Sequence, residues 1–248
     1  MTVIASGDTH IGMKRKTNQD SICVDKDLNF FVVADGMGGH NGGDIASSMS
    51  VDLLPNFIRE NQSKYEVPVL LDNAVHFVNN AIYEHGLKNS HLEGMGTTIS
   101  AIMFNEKHIN IANIGDSRVY MLHKQKLYQL TRDHSLVQER LNIGFYDREG
   151  ARKDPQKNVL IKTVGFENNV RPDVYQYKVN KNDLFLICSD GLHGKVADQD
   201  IVHIITNQIK DFDHITQADL DNCVSKLIDQ ANANGGQDNI SVILAAAN

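Results

Sequence analysis

Four aspartates lie close to short apolar runs that have the length and composition of buried strands. Three of them follow such a run within two residues, and the fourth lies just before one. Because a buried strand fixes the direction in which its end presents the next side chain, each of these carboxylates is predicted to lie at a sheet margin. The four are Asp35, Asp116, Asp190 and Asp238.

If the four carboxylates converge, a bound metal ion would be favoured. Two unit charges about 4 Å apart repel by roughly 4 kcal/mol at an intermediate dielectric, and a divalent cation reverses the sign of that interaction. Oxygen ligands alone suit Mg²⁺ or Mn²⁺, whereas zinc usually recruits histidine or cysteine. A single aspartate after a strand is most often a turn residue. The pattern alone therefore leaves both a turn and a metal site open, and it names no reaction.

Composition excludes several classes of protein. The 248 residues carry a net charge of −7 without a long basic run, which disfavours nucleic-acid binding. Cys23, Cys188 and Cys223 are widely separated, so neither a disulfide framework nor a zinc site is predicted and a reducing cytosol is the default. The N-terminus lacks the apolar stretch of a signal peptide, and no apolar segment reaches about 18 residues. We therefore expect a cytoplasmic protein without a membrane span.

The elements that must position the aspartates alternate irregularly between strand and helix. This irregularity predicts an α+β fold of antiparallel sheets covered by helices. No repeat or linker divides the chain, so residues 1–248 are interpreted as one domain, with the polar segment of about 135–162 as a surface excursion. Strands are predicted at 30–34, 98–104, 108–114, 119–122, 184–188 and 240–244. Helices are predicted around 71–82 and 220–231. A third helix is predicted after the glycine-rich turn, with Ile45, Met49 and Leu53 on its inner face.

Seven short motifs rich in glycine, aspartate and arginine follow one another along nearly the whole chain. They are RKTNQD at 15–20, ADGMGGH at 34–40, MGTT at 95–98, GDSRVY at 115–120, TRDHS at 131–135, SDGL at 189–192 and GQDNIS at 236–241. In this order and spacing they resemble the metal-dependent protein phosphatases of the PPM class, also called protein phosphatase type 2C. Each motif is weak alone, and the ordered set is specific.

This resemblance implies an α-β-β-α sandwich of two antiparallel sheets flanked by helices, and it assigns metal ligands. Asp35 would bridge two Mn²⁺ or Mg²⁺ ions, with the Gly36 carbonyl on one of them and Asp190 and Asp238 on the other. In bacterial members, the residue that matches Asp116 joins the one that matches Asp190 at a weaker third ion.

The resemblance also assigns the residues around the ions. Asp20 would hold water from the second shell, and Arg15 would bind the substrate phosphate through its guanidinium fork. Met37 stands where eukaryotic members carry a histidine that is often assigned as general acid. His40 lies three positions further, as in bacterial members, and we expect it to assist proton transfer. We expect Asn239 to anchor the last loop by hydrogen bonds.

The segment 135–162 resembles the flap of the family, and it is called the flap below. A histidine often precedes the proline of that flap, whereas this chain has Asp154-Pro155. The implied activity is hydrolysis of phosphoserine and phosphothreonine in proteins that are substrates of a serine/threonine kinase, by a monomer. Two alternatives stay open: a non-catalytic regulatory module, and hydrolysis of small phosphomonoesters.

Overall fold

Two antiparallel sheets form the centre of the computed structural model, which describes residues 2–37, 42–145, 147, 150 and 154–247. Their strands are β1 (Val3–His10), β2 (Asp20–Asp25), β3 (Phe30–Met37), β4 (Gly96–Thr97), β5 (Ile99–Asn105), β6 (His108–Ile114), β7 (Arg118–His123), β8 (Lys126–Gln129), β9 (Asp173–Lys178), β10 (Leu184–Cys188) and β11 (Ile240–Ala247). One sheet has the order β1-β11-β10-β7-β8. The other has the order β2-β3-β5-β6-β9, with β4 paired to β3.

Helices cover the outer face of each sheet. They are α1 (Gly43–Asn61), α2 (Val67–Lys88), α3 (Leu136–Asn142), α4 (Asp190–His193), α5 (Asp198–Gln208) and α6 (Gln217–Ala233), with a 3-10 turn at Ser90–Leu92. Helices α1 and α2 pack on the sheet that contains β3 and β6, and α6 packs on β1 and β11. Within the described part of the chain, no helix has both the length and the apolar character needed to cross a membrane.

Three apolar layers separate the sheets and helices. In β3, Phe30 and Val32 pack towards α1 and α2, whereas Phe31 and Val33 pack between the two sheets. The residues of β10 and β11 divide in the same way between the inter-sheet layer and the layer under α5 and α6. Because both faces of the central strands are buried, their sequences are continuously apolar. The predicted α-β-β-α sandwich is confirmed.

The central elements agree closely with the sequence predictions. The predicted strands 108–114 and 184–188 coincide with β6 and β10, and the other four predicted strands lie within or overlap β3, β5, β7 and β11. The predicted helical segments 71–82 and 220–231 lie inside α2 and α6. Sequence reasoning did not predict β1, β2, β8, β9 or α5.

The inner face predicted for helix α1 is wrong by one residue. Ile45, Met49 and Leu53 are only partly buried and pack at the edge of the core. The buried face of α1 instead includes Ala46, Ser47, Ser50, Leu54 and Ile58. Small side chains on this face allow the helix to approach the sheet closely, and the hydroxyl groups of Ser47 and Ser21 are 3.0 Å apart. The sequence pattern favoured the larger apolar residues and so selected the neighbouring stripe.

Strand pairing brings parts of both sheets to one end of the sandwich. Asp20, the first residue of β2, lies opposite Asp35 near the end of β3. In the other sheet, the Ser189 N–H after β10 donates to the Ser241 carbonyl in β11 at 3.1 Å. Asp190 therefore begins α4 beside the start of β11.

Candidate active site

A cavity of about 320 Å³ opens where the ends of the two sheets meet. Asp35 reaches it from the end of β3, whereas Asp190 and Asp238 reach it from residues next to β10 and β11. Asp116, in the turn after β6, and Arg15 also line the cavity. The structure therefore brings together the four aspartates that the sequence singled out.

The carboxyl groups of Asp35, Asp116 and Asp190 are partly buried and lie close enough to other aspartates for their charges to repel. Burial, followed by the charges of Asp20 and Asp190, raises the pKa of Asp35 well above its usual range. Burial and the charge of Asp238 raise the pKa of Asp190 to about 7. The pKa of Asp116 is also raised well above its usual range, by burial and then by Asp190. A divalent cation would favour the ionised form of each carboxylate, so this cluster fits a cation site.

Asp20 lies behind this cluster and has one unpaired oxygen. Its Oδ2 accepts hydrogen bonds from the Ser189 hydroxyl at 2.8 Å and from the Ser241 hydroxyl at 2.7 Å. Its Oδ1 is buried without a hydrogen-bond partner among the described residues. Burial raises the pKa of Asp20 to about 6, against the opposing effect of the two hydroxyls. A buried carboxylate oxygen without a donor fits a place for water next to a cation.

The aspartates surround the cavity without forming a closed cage. Among the described residues, no three carboxylate, imidazole or thiol groups are grouped closely enough to hold an ion by themselves. Hard cations such as Mg²⁺ and Mn²⁺ commonly complete their coordination with backbone carbonyls and water. The donor set therefore fits a hydrated hard cation better than a zinc ion, which would need a tight set of nitrogen or sulfur ligands.

Arg15 lies at the cavity beside Asp238. Its Nη2 donates to Asp238 Oδ2 at 2.7 Å, and the two side chains are 50% and 31% exposed. The hydrogen bond to Asp238 is the largest cause that raises the pKa of Arg15. The guanidinium is thus held at the site by one of the proposed metal ligands, with half of its surface open to solvent.

Asn239 joins the start of β11 to the segment that carries Arg15. Its Oδ1 accepts the Gln19 N–H at 2.9 Å, and its Nδ2 donates to the carbonyls of Ile11 and Thr17 at 2.9 and 3.0 Å. All the hydrogen-bonding groups of this amide are directed at one loop, so Asn239 fixes that loop against the cavity.

Two glycines allow backbone segments to meet beneath the site. A Cβ atom on Gly36 would lie 2.1 Å from the Gly43 carbonyl oxygen, and one on Gly191 would lie 1.9 Å from the Asn239 carbonyl oxygen. Both obstacles are backbone atoms that no side-chain rotation can move. These positions therefore require glycine for close packing rather than for an unusual backbone angle.

Two side chains that sequence reasoning missed, the partly buried His193 and the buried Ser117, hold the turn around Asp116. His193, in α4, donates from Nε2 to the Asp116 carbonyl at 3.0 Å. Burial, followed by the charge of Arg118, lowers the pKa of His193 to about 3, so its ring is neutral. The Ser117 hydroxyl lies 2.8 Å from the hydroxyl of Thr98. No sequence signal marked His193, because its partner is a backbone atom distant in the chain.

The remaining predicted residues lie at the edge of the site or outside the described part. His40 lies outside the described residues, whereas Met37 lines the cavity. Asn158 and Leu160 of the flap also line it. Asp154, which stands before the flap proline, forms an ion pair with Arg140 at 2.9 Å. Asp154 therefore helps to hold the flap itself.

Comparison with known proteins identifies the family to which this site belongs. The family model described as Protein phosphatase 2C matches residues 6–244. The chain belongs to the protein phosphatase 2C family. The predicted family and the prediction of a phosphatase enzyme are thus confirmed, and this phosphatase is similar in sequence and fold to several bacterial proteins.

Its relatives match over almost their whole length. A serine/threonine phosphatase stp of Listeria innocua is 35% identical over 246 residues, which cover 97% of this chain and 94% of that protein. The crystal structure of the serine/threonine phosphatase Stp1 from Staphylococcus aureus has a TM-score of 0.88 at 30% identity, covering 100% of this chain and 96% of the other. The catalytic domain of the phosphatase PstP, crystallised with two manganese ions, has a TM-score of 0.85 at 29% identity, covering 98% and 97%.

The raised carboxyl pKa values predict that Mn²⁺ binding strengthens with pH. The pKa of Asp190 rises from its ordinary 3.8 to about 7, so the folded protein without cation holds a proton there that the unfolded chain has lost. This protein should therefore lose stability as the pH rises from about 4 to about 7, and Mn²⁺ should restore it. Between about pH 4 and about pH 7, we expect the Mn²⁺ affinity to rise roughly tenfold per pH unit for each proton that binding releases. Calorimetry in two buffers of different ionisation enthalpy measures both the affinity and the proton count. An affinity that does not change between about pH 5.5 and about pH 7.5 would contradict this expectation.

Proposed function

We propose that this phosphatase hydrolyses phosphoserine and phosphothreonine in proteins with two divalent cations, Mn²⁺ or Mg²⁺. Asp35, the Gly36 carbonyl, Asp190 and Asp238 would hold the pair, and Asp116 with Asp190 would hold a weaker third ion. The observation that carries this proposal is one cavity that these four aspartates line from both sheets, where the pKa values of Asp35, Asp116 and Asp190 are raised. The two manganese ions in the related PstP structure support the choice of metal.

The metal pair and Asp20 would supply the nucleophile. A pair of bound divalent cations lowers the pKa of water enough to make hydroxide available near neutral pH. Asp20 would orient that water. Ser189 and Ser241 occupy its Oδ2, so the unpaired Oδ1 is left to accept a hydrogen bond from water. The two serines fix the carboxyl in place, so little reorganisation is needed during the reaction.

Arg15 would bind the phosphate group of the substrate. Its guanidinium carries five N–H donors, and its contact with Asp238 leaves donors free for two phosphoryl oxygens. Since half of the side chain is exposed, it can move towards a phosphate while it stays near Asp238. Its positive charge would offset the negative charge of the phosphoryl oxygens as the water attacks in line.

No covalent enzyme intermediate is needed in this proposal. Cys188 is fully buried in β10, and burial raises the pKa of its thiol, so it is unsuited to act as a nucleophile. The leaving serine or threonine alkoxide must gain a proton. We retain His40 as the proposed proton donor on the basis of its position in the sequence, although it lies outside the described residues.

The substrates would be proteins already phosphorylated by a serine/threonine kinase, in keeping with the names of the bacterial relatives. Residues 1–248 would act as one catalytic domain, since both sheets contribute to one cavity. One chain supplies every proposed ligand, so a monomer would be sufficient for activity.

A comparison of substrates tests this assignment. With Mn²⁺ present, we expect kcat/KM for a phosphothreonine peptide to exceed that for free phosphothreonine by at least roughly tenfold, because peptide contacts outside the cavity add binding energy. Asp52 is exposed on α1, so the variant Asp52→Asn serves as a control for expression and folding. If kcat/KM is equal for the two substrates, or higher for free phosphothreonine, small phosphomonoesters would be assigned as the substrates. No hydrolysis of any ester by folded protein would favour the regulatory module.

A further inference from the structure

His134 connects two segments that border the cavity. Its N–H donates to the Gly115 carbonyl at 2.9 Å, and its carbonyl accepts the N–H of Ile161 at 3.0 Å. Gly115 directly precedes Asp116, and Ile161 is next to the last residue of the flap. The His134 residue is only 9% exposed. These backbone contacts are therefore shielded from water and place His134 between the Asp116 turn and the base of the flap.

The two ring nitrogens of His134 have different partners. Nδ1 accepts the N–H of Gly115 at 3.1 Å, so this nitrogen carries no proton. The proton of the neutral ring must then lie on Nε2, which is 3.2 Å from Asp173 Oδ2. Burial lowers the pKa of His134, which agrees with a neutral ring. The hydrogen-bond partners thus select one tautomer.

Asp173 continues this connection to the end of the flap. Its Oδ1 lies 3.2 Å from the ammonium of Lys162, the last residue of the flap. Its Oδ2 accepts the Tyr175 hydroxyl at 3.1 Å, in addition to the His134 ring. The carboxylate is therefore shared between the flap, the imidazole and strand β9.

Gly115 gives this connection a defined geometry at its other end. Its φ of +99° lies in a region that other residues rarely adopt, and a Cβ atom there would lie 2.5 Å from a Thr98 side-chain atom. Both backbone polar groups of Gly115 are bonded to His134. His134 thus holds the residue that directly precedes Asp116 through both its backbone N–H and its ring.

We propose that His134 is a positioning residue that holds the Asp116 turn against the base of the flap through its Nε2-protonated ring. This inference rests on the proposed function in one respect, since it takes Asp116 as a ligand of the weaker third ion. Loss of the ring contacts should loosen the flap base and the third site together. The two cations assigned to Asp35, Asp190 and Asp238 should bind with unchanged affinity.

Two substitutions separate the two ring contacts. His134→Asn keeps an acceptor near the position of Nδ1 and removes the donor to Asp173. His134→Gln keeps a donor that can reach Asp173 and removes the acceptor for Gly115. His123→Gln is a matched control, because His123 pairs with Asp183 at 2.5 Å through its Nδ1. That pair lies at the far end of β7, about 16 Å along the strand from Arg118.

Amide hydrogen exchange in the protein without added metal is the first measurement, because it requires neither activity nor cations. We expect His134→Gln to accelerate exchange at Gly115 roughly tenfold, which corresponds to one lost hydrogen bond. His134→Asn should leave exchange at the Gly115 amide near the wild-type rate and accelerate exchange at the Ile161 amide, which is bonded to the His134 carbonyl. If His134→Gln does not fold, Asp173→Asn is measured in the same way, with acceleration expected at the Ile161 amide.

Mn²⁺ titration by calorimetry is the second measurement. We expect the third ion to bind roughly tenfold more weakly to His134→Gln and with little change in affinity to His134→Asn. The affinity for the first two ions should be unchanged in both variants. Unchanged exchange at Gly115 in folded His134→Gln, or the same exchange changes in His123→Gln, would overturn the proposal. A third ion of wild-type affinity in His134→Gln would also overturn it. Complete failure of Mn²⁺ to bind wild-type protein would instead refute the proposed function, and the exchange rates would still decide the role of His134.

Discussion

Asp35→Asn is expected to lower kcat by roughly a thousandfold or more, because the proposed ligand of both cations would lose its charge and several kcal/mol of transition-state stabilisation with it. The same substitution should raise the melting temperature of the protein without added metal. Burial and the charges of neighbouring aspartates raise the pKa of Asp35 well above its usual range, so a neutral amide removes an unfavourable charge from the folded state. Steady-state kinetics, calorimetric Mn²⁺ titration and thermal unfolding test this prediction together.

Loss of a metal ligand should lower kcat while it raises the melting temperature, whereas a damaged fold would lower both. The exposed Asp52 on α1 provides the control, since Asp52→Asn removes the same charge away from the cavity. It should change neither kcat nor Mn²⁺ affinity. An Asp35→Asn variant with wild-type turnover and wild-type Mn²⁺ content would show that Asp35 is not a metal ligand.

Gly191→Ala is expected to destabilise the protein by about 3 kcal/mol and to weaken Mn²⁺ binding at the same time. The added methyl group would lie 1.9 Å from the Asn239 carbonyl oxygen and 3.2 Å from Ile240 Cα. The backbone must move to relieve this contact, and the movement separates α4, which carries Asp190, from the turn that carries Asp238. Urea unfolding and Mn²⁺ calorimetry measure the two consequences.

Gly94→Ala is a matched control for the loss of a glycine. Its φ is +79°, so alanine there costs about 1 kcal/mol in backbone strain, but the nearest atom to the added methyl group is 3.9 Å away. Mn²⁺ affinity should stay at the wild-type value in this variant. If Gly191→Ala binds Mn²⁺ as tightly as wild type, the backbone contact between Gly191 and Asn239 does not maintain the site.

The fold was predictable from sequence where strands are central and not where they lie at a sheet edge. Four of the unpredicted strands, β1, β2, β8 and β9, are the outermost strands of the two sheets. An edge strand is partly exposed, and its side chains are more polar, so it lacks the continuous apolar run of β3 or β10. Helix α1 shows a related limit, because its closely packed face is made of small residues that carry little hydrophobic signal.

The candidate site was predictable to the extent that its residues end apolar strands. Asp35 and Asp190 stand out because a buried strand precedes each of them. Asp20 and Arg15 have no such local signal and were found only through the resemblance to the phosphatase family. Ser189 and Ser241 lie within the recognised motifs, but their shared contact with Asp20 depends on pairing between distant strands.

His134 and His193 illustrate what sequence alone could not provide. Each ring contacts a backbone atom of the turn at Gly115 and Asp116, from segments that are distant in the chain. A ring contact to a backbone group leaves no charge pattern or residue spacing in the sequence by which it could be detected. Only the three-dimensional arrangement identifies these residues as supports of the Asp116 turn.

The most direct test of the central claim is hydrolysis of a phosphothreonine peptide after chelation of divalent cations and after their return. We predict that turnover disappears with chelation, returns with Mn²⁺ or Mg²⁺, and persists in the presence of okadaic acid. Turnover that survives chelation would contradict the assignment of the aspartate cavity as a metal centre. Absence of turnover with either metal, in folded protein, would contradict the assignment of a phosphatase reaction to this cavity.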